Sequence, residues 1–229
     1  MTVTRLDCMP NPGEHHPAFE EYCECIYELH EGSVAVIQAR IAERLSVSRP
    51  SVSEMIKRMD AEGLVRTDGT TISLTESGRE LAVSVVRKHR LAERFLTDIL
   101  GLSWATAHRE AGKWEHVMSN DVETAMVRVL NNPTTCPHGN PIPGSGHVAV
   151  ATAPLSSVAT GATFVVARVP ETLEFAPGIL DFLESSQLLP GRSGNVVSAN
   201  DDGSVAVSVD GQTVTVDPYA SARLMVEAR

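Results

Sequence analysis

Five side chains in the middle of the chain have the types and spacing of a metal site. His89 and Glu93 stand four residues apart in the run Arg87-Lys88-His89-Arg90-Leu91-Ala92-Glu93-Arg94. His108 precedes a second set, Gly112, Glu115 and His116. Residues three or four apart share a helix face, so His89 and Glu93 project together, as do Gly112, Glu115 and His116. Two such faces meeting would bring imidazoles and carboxylates to coordination distance, which is the chemistry of a divalent cation. Glu21 and Glu24, one turn apart on the first helix, become candidate ligands from the other end of the chain.

That other end has the pattern of a DNA-binding unit. Between Ile41 and Met59 a short amphipathic helix, the turn Ser46-Val47-Ser48 and a helix from Arg49 to Ala61 follow one another, with Pro50 suited to a first turn. The second helix is small and polar at its start, so it can approach base edges. Its end is basic, which suits phosphates. Arg49, Ser51, Ser53 and Glu54 are the candidates for the base side, and Arg44, Lys57 and Arg58 for the phosphates. Ser48 and Pro50 complete the DNA-facing set. Strand-like segments 64–66 and 71–74 flank Asp68-Gly69, a hairpin signal, and supply a wing.

Elements that could position these groups follow from periodicity. Apolar Phe19, Tyr22, Cys23, Ile26 and Leu29 predict a first helix from Pro17. Thr75 caps a long helix carrying His89 and Glu93. A further helical stretch covers about 104–130, with a possible break at Ser119-Asn120. The Pro- and Gly-rich stretch around 131–162 predicts a linker, and short strand signals at 164–169, 195–198, 204–209 and 212–216 predict a small β barrel. The expected divisions are a tail (1–16), a winged helix-turn-helix (17–75), a helical metal-binding and dimerisation domain (76–144), a linker (145–162) and an SH3-like barrel (163–229). The fold class is thus mainly α with a small β domain.

Composition sets bounds. The chain has 229 residues, 42% of them hydrophobic, and a formal net charge of -10, so DNA would have to meet a local basic surface. Cys8, Cys23, Cys25 and Cys136 lack paired CxxC spacing and do not read as a disulfide framework or structural zinc site. Cys25 could face Glu21; both Cys23 and Cys25 read better as small buried hydrophobes. The His15-His16 pair reads as part of a solvated tail. No membrane span or signal peptide is expected, and the location expected is cytoplasmic.

The winged helix-turn-helix, the runs 87–94 and Trp114-Glu115-His116-Val117-Met118-Ser119, and Cys136-Pro137-His138-Gly139-Asn140-Pro141-Ile142-Pro143-Gly144 together resemble the diphtheria-toxin-repressor family of metal-dependent transcriptional repressors. The resemblance covers nearly the whole chain. It implies a homodimer held by the middle helices, a double-stranded DNA operator, two metal sites per subunit and an SH3-like barrel on a tether. By position, it implies one site of His89, Glu93 and His108 completed by Glu171 and Glu174. The other, activating site would be Glu21, Gly112, Glu115 and His116.

The chain departs from the iron-responsive pattern, which has methionine at the position of Glu21 and cysteine at that of Gly112. Manganese-responsive relatives carry carboxylates at the positions of Glu21 and Glu24, so the likeness is closer to that branch. Their usual third carboxylate, at the position of Gly112, is missing; Glu24, Cys25 or water could fill the place. Oxygen and imidazole donors suit Mn²⁺ and weaken the case for thiophilic metals. The expectation is an Mn²⁺-activated repressor of metal-uptake genes, with Fe²⁺ activation of an iron-acquisition repressor as the alternative. A metal-dependent hydrolase is more distant, since no nucleophile or substrate-pocket motif accompanies the ligands.

Overall fold

The first helix buries one stripe and starts the fold. In the computed structural model, which describes residues 17–229, α1 (Pro17–Glu31) turns Tyr22, Cys23, Ile26 and Leu29 inward. The expected tail, with Cys8 and His15-His16, lies outside the described residues. The stripe packs on Ile41 of α2 (Gln38–Arg44) and on Val52, Ile56 and Met59 of α3 (Arg49–Ala61). Ser46 takes a left-handed φ of 54° in the turn between α2 and α3, and Ser48 caps α3 by accepting from the Ser51 amide at 3.3 Å. The wing is an antiparallel pair, β1 (Val65–Asp68) and β2 (Thr71–Leu74), with Val65 opposite Leu74.

Thr75 Oγ1 accepts from the Gly78 amide at 3.1 Å and starts α4 (Glu76–Asp98), the long helix the sequence predicts. The expected stretch 104–130 is two helices, α5 (Trp104–Trp114) and α6 (Asn120–Val129), with Ser119 capping the second. Glu115 and His116 therefore lie in the turn after α5, not within a continuous helix. Ala92 and Leu96 of α4 pack with Ala107, Ala111, Met118 and Met126 in the interior of this middle unit.

The C-terminal unit is an antiparallel sheet in the order β3-β8-β4-β5-β6-β7. Its strands are β3 (Ala153–Pro154), β4 (Thr163–Arg168), β5 (Ser193–Ala199), β6 (Val205–Val209), β7 (Gln212–Val216) and β8 (Met225–Ala228). Three short helices, α7 (Glu171–Glu174), α8 (Ile179–Ser185) and α9 (Pro218–Ser221), complete it. The expected linker, 145–162, is too long: Ala153 pairs with Val226, and Leu155 and Val158 are buried among the sheet's valines and leucines. Small residues and proline hid this, because a two-residue strand gives no period to read. Trp104, the first residue of α5, is buried in the same core and fixes the sheet unit to the middle helices. Truncating such an aromatic typically costs about 3–5 kcal/mol, so this attachment is strong.

Candidate metal centre

Two clusters share a wall formed by α4. In the outer cluster, Glu24 from α1, His89 from α4 and Glu115 from the turn after α5 bring ligand atoms within 4.8 Å of one another. His89 Nδ1 lies 2.5 Å from Glu115 Oε2, and His116 Nε2 lies 3.2 Å from Glu115 Oε1. The other nitrogen of His116, Nδ1, meets Glu20 Oε2 at 2.6 Å. Glu21, the sequence candidate, and Gly112 line the cavity of about 500 Å³ that runs past both clusters, but Glu20 is the first-helix carboxylate that engages His116.

The inner cluster centres on Glu93. Its Oε1 is 3.2 Å from His89 Nε2, 2.9 Å from His108 Nδ1 and 3.4 Å from His138 Nδ1. Glu174 of α7 closes the far side, with Oε2 at 3.3 Å from His108 and 2.8 Å from His138. Glu93, Cys136 and His138 form one ligand group, and His108, Glu171 and Glu174 another. Glu171 is divided: Oε1 accepts from the buried Arg90 at 3.2 Å, while Oε2 has no partner.

The segment from Cys136 to Asn140 reaches the cluster because Gly139 allows it. Gly139 has φ +86°, and a Cβ there would stand 2.3 Å from the Ala167 carbonyl. That close approach lets the Val169 amide donate to the His138 carbonyl at 2.8 Å. Asn140 donates to the Val169 carbonyl at 2.9 Å and to Glu174 Oε1 at 2.5 Å. The loop thus aims His138 inward and holds α7 in place.

Charge and burial compete here. Burial alone would depress His89, but Glu93 and Glu115 overcome it and hold the imidazole well above its ordinary range. His108 is opposed by burial too, yet the Glu174 and Glu93 carboxylates push it up to about 10. Glu24 is raised well above the carboxylate range by burial and then by Glu115. Burial and the neighbouring Glu174 raise Glu171 to about 8. Burial pushes the Cys136 thiol up to about 11.

The residues fit a divalent cation. Glu24 Oε1 in the outer cluster, and Glu93 Oε2, His138 Nε2 and Glu171 Oε2 in the inner one, are buried without a hydrogen-bond partner. Unpaired buried polar atoms are costly and rare in native interiors, so their gathering in these two clusters calls for a counter-ion. Oxygen and imidazole donors dominate, with Cys136 adding one sulfur to the inner cluster.

The helix-turn-helix candidates fall into two groups. Ser48, Arg49, Pro50, Ser51, Glu54, Lys57 and Arg58 are exposed and Ser53 is half-buried. Arg58 also stands over the Phe19 ring, 5.3 Å from its centroid. Arg44 departs from the expectation. Its side chain is 9% exposed and pairs with Glu28 Oε2 at 2.5 Å, so it is not free for a phosphate. The sequence misled because a basic residue beside a recognition helix reads as solvated until its partners are seen.

Residues 16–71 match the family model "Iron dependent repressor, N-terminal DNA binding domain", and residues 75–144 match "Iron dependent repressor, metal binding and dimerisation domain". A solved structure described as a manganese-dependent transcriptional repressor complex with manganese superposes with a TM-score of 0.82 at 32% identity. The match covers 92% of this chain and all of that one, at 100%. The chain belongs to the diphtheria-toxin-repressor family. Among curated members of this family, the iron-dependent repressor IdeR of Mycobacterium tuberculosis is 57% identical over 126 residues, 55% of this chain and 55% of that protein. The diphtheria toxin repressor of Corynebacterium diphtheriae is 50% identical over 132 residues, 57% of this chain and 58% of that protein. The matched stretch thus spans little more than half the length of these curated relatives.

Spacing alone does not single out three residues of the centre. Cys136 and His138 stand in the sequence as part of a family-like run, in which Cys-x-His is the one ligand-type signal. Glu20 stands beside Glu21 and is told apart from it only by the rotation of α1.

Proposed function

We propose that this chain is a divalent-metal-activated, homodimeric DNA-binding repressor of metal-homeostasis genes, acting in the cytoplasm and not as an enzyme. The observation that supports it most is the meeting of α1, which belongs to the helix-turn-helix unit, with Glu115 and His116 of the middle unit through Glu20 and Glu24. Glu24, His89, Glu115 and His116, with Glu21 and the Gly112 carbonyl at the cavity wall, would hold one ion. Glu93, His108, His138, Cys136, Glu171 and Glu174 would hold a second. A bound cation supplies the positive charge that lets these carboxylates stay together when their histidines are neutral.

The protein's own contribution is orientation. His89 and Glu93 are set one helical turn apart, and α1 meets the turn after α5 through Glu20 at His116 and Glu24 beside Glu115. A ligand that binds only this closed arrangement increases its population by mass action, which would fix the spacing of two recognition helices in a dimer. Arg49, Ser51, Ser53 and Glu54 are then proposed to face base edges, with Lys57 and Arg58 on phosphates.

Mn²⁺ is the ion preferred, since the outer cluster carries oxygen and nitrogen donors only. Fe²⁺ is the second reading, and the high identity to iron-dependent repressors favours it. The test is operator binding titrated separately with free Mn²⁺ and free Fe²⁺ without oxygen. Activation by Fe²⁺ at much lower free concentration would reverse the order. Binding that ignores both metals would remove the regulator reading itself.

A further inference from the structure

Arg44 lies where the helix-turn-helix, the first helix and the C-terminal unit converge. Its Nη2 donates to Glu28 Oε2 on α1 at 2.5 Å, and its Nη1 donates to the Glu171 carbonyl, at the first residue of α7, at 3.2 Å. Its guanidinium stacks on Phe175, the residue that ends α7, 3.3 Å from the ring centroid. That same ring makes a T-shaped contact with His108, at 5.0 Å between centroids and with the planes at 89°. One aromatic ring is therefore shared by a candidate metal ligand and an arginine of the DNA-binding unit.

The short helix α7 has two jobs in this geometry. Its carboxylates, Glu171 and Glu174, face the inner cluster, and its backbone and cap face Arg44. A four-residue helix cannot shift one side without the other. A guanidinium suits this place because it is planar and always charged, so it can stack on a ring and donate in two directions at once.

We infer that Arg44 is a positioning residue, a strap that registers the C-terminal unit against the helix-turn-helix and transmits the order of the inner cluster to it through Phe175. This inference rests on the proposed metal-activated repressor. It replaces a phosphate contact with an internal one: Arg44 acts on DNA binding only by changing how readily the metal-organised state is reached.

The test uses the full chain and two readouts. The first is amide hydrogen exchange in metal-free protein. The Phe175 and Ala176 amides donate to Glu171 and Leu173 carbonyls within α7, so they report its order. Arg44→Ala should speed their exchange at least about fivefold, through loss of the stacking contact on Phe175 and of the hydrogen bond to the Glu171 carbonyl. Phe175 is 49% exposed, so its variants should fold. Phe175→Leu should match Arg44→Ala, and Phe175→Tyr should retain wild-type protection. The second readout is binding to a duplex recovered by the wild type from a random-sequence library in Mn²⁺. Arg44→Ala should raise the free Mn²⁺ needed for half-maximal binding, with affinity at saturating Mn²⁺ and its salt dependence unchanged. A salt slope reduced by about one would restore the phosphate contact and overturn the strap. Exchange at Phe175 and Ala176 equal to wild type would overturn it as well. Failure of the wild type to recover any duplex would count against the repressor, while the exchange readout would still decide the strap.

Discussion

His89 Nδ1 lies 2.5 Å from Glu115 Oε2. The opposite nitrogen of the ring faces Glu93 at 3.2 Å and His108 Nδ1 at 3.3 Å, so one imidazole serves as the partition between two clusters. One nitrogen could hold an ion while the other donates its proton to the carboxylate of the neighbouring cluster, so the ring bears on both. The resemblance to the family assigns His89 to one site; the geometry gives it a place in both.

That placement predicts an unequal mutational pattern. His89→Ala should weaken Mn²⁺ binding at both clusters, by at least about tenfold, because it removes a ligand from one and the hydrogen bond that orients a carboxylate ligand in the other. Glu174→Gln should weaken only the inner one. Calorimetry with Mn²⁺ checks this, and an His89→Ala protein that keeps one wild-type site would refute the shared ring.

Metal choice can be tested at Gly112. A Cβ at this helical glycine would meet nothing within 4 Å, so Gly112→Cys should be accommodated. Helix propensity alone should stabilise α5 by about 0.3 kcal/mol. Together with Glu21→Met, the change places two sulfurs at the cavity wall and should move activation from Mn²⁺ toward Fe²⁺ or later metals. Operator-binding midpoints on a free-metal scale would show the shift, and an unchanged Mn²⁺/Fe²⁺ ratio would remove the softness argument.

Protons should compete with metal. His108, raised to about 10, and Glu171, raised to about 8, hold protons at neutral pH in the metal-free protein. Ligand atoms must lose them, so metal uptake at neutral pH should release protons, and affinity should rise with pH. The sign for folding is the reverse. A histidine with a raised value stabilises the metal-free fold fully below about 6.5, and that contribution is lost as pH rises through about 10. Calorimetry in two buffers of different ionisation enthalpy counts the protons; a net count of zero would contradict the charged, metal-free cluster.

The exposed end of α3 should behave as an electrostatic contact. Lys57→Ala should weaken DNA binding evenly across sequences and reduce the salt slope by about one. Arg49→Ala, at the polar start of the helix, should instead relax sequence preference. Anisotropy titrations over a range of salt, on matched and scrambled duplexes, separate the two, and the opposite assignment of effects would reverse the roles given to these residues.

Much of this protein is legible in its sequence because it depends on local rules. The turn at Ser46, the cap at Ser48, the cap at Thr75 and the long amphipathic α4 follow from neighbours a few residues apart, and so does the shared face of His89 and Glu93. The partners of these groups depend on distant contacts. Glu20 rather than Glu21 meets His116 because the packing of α1 sets its rotation about its own axis. Cys136 and His138 join Glu93 because Gly139 lets their loop touch β4. Arg44 turns inward because Phe175 and the Glu171 carbonyl, more than a hundred residues away, accept it. Periodicity fixes which face of an element is buried. Only the tertiary structure brings the faces together, and with them the charges that decide what each side chain does.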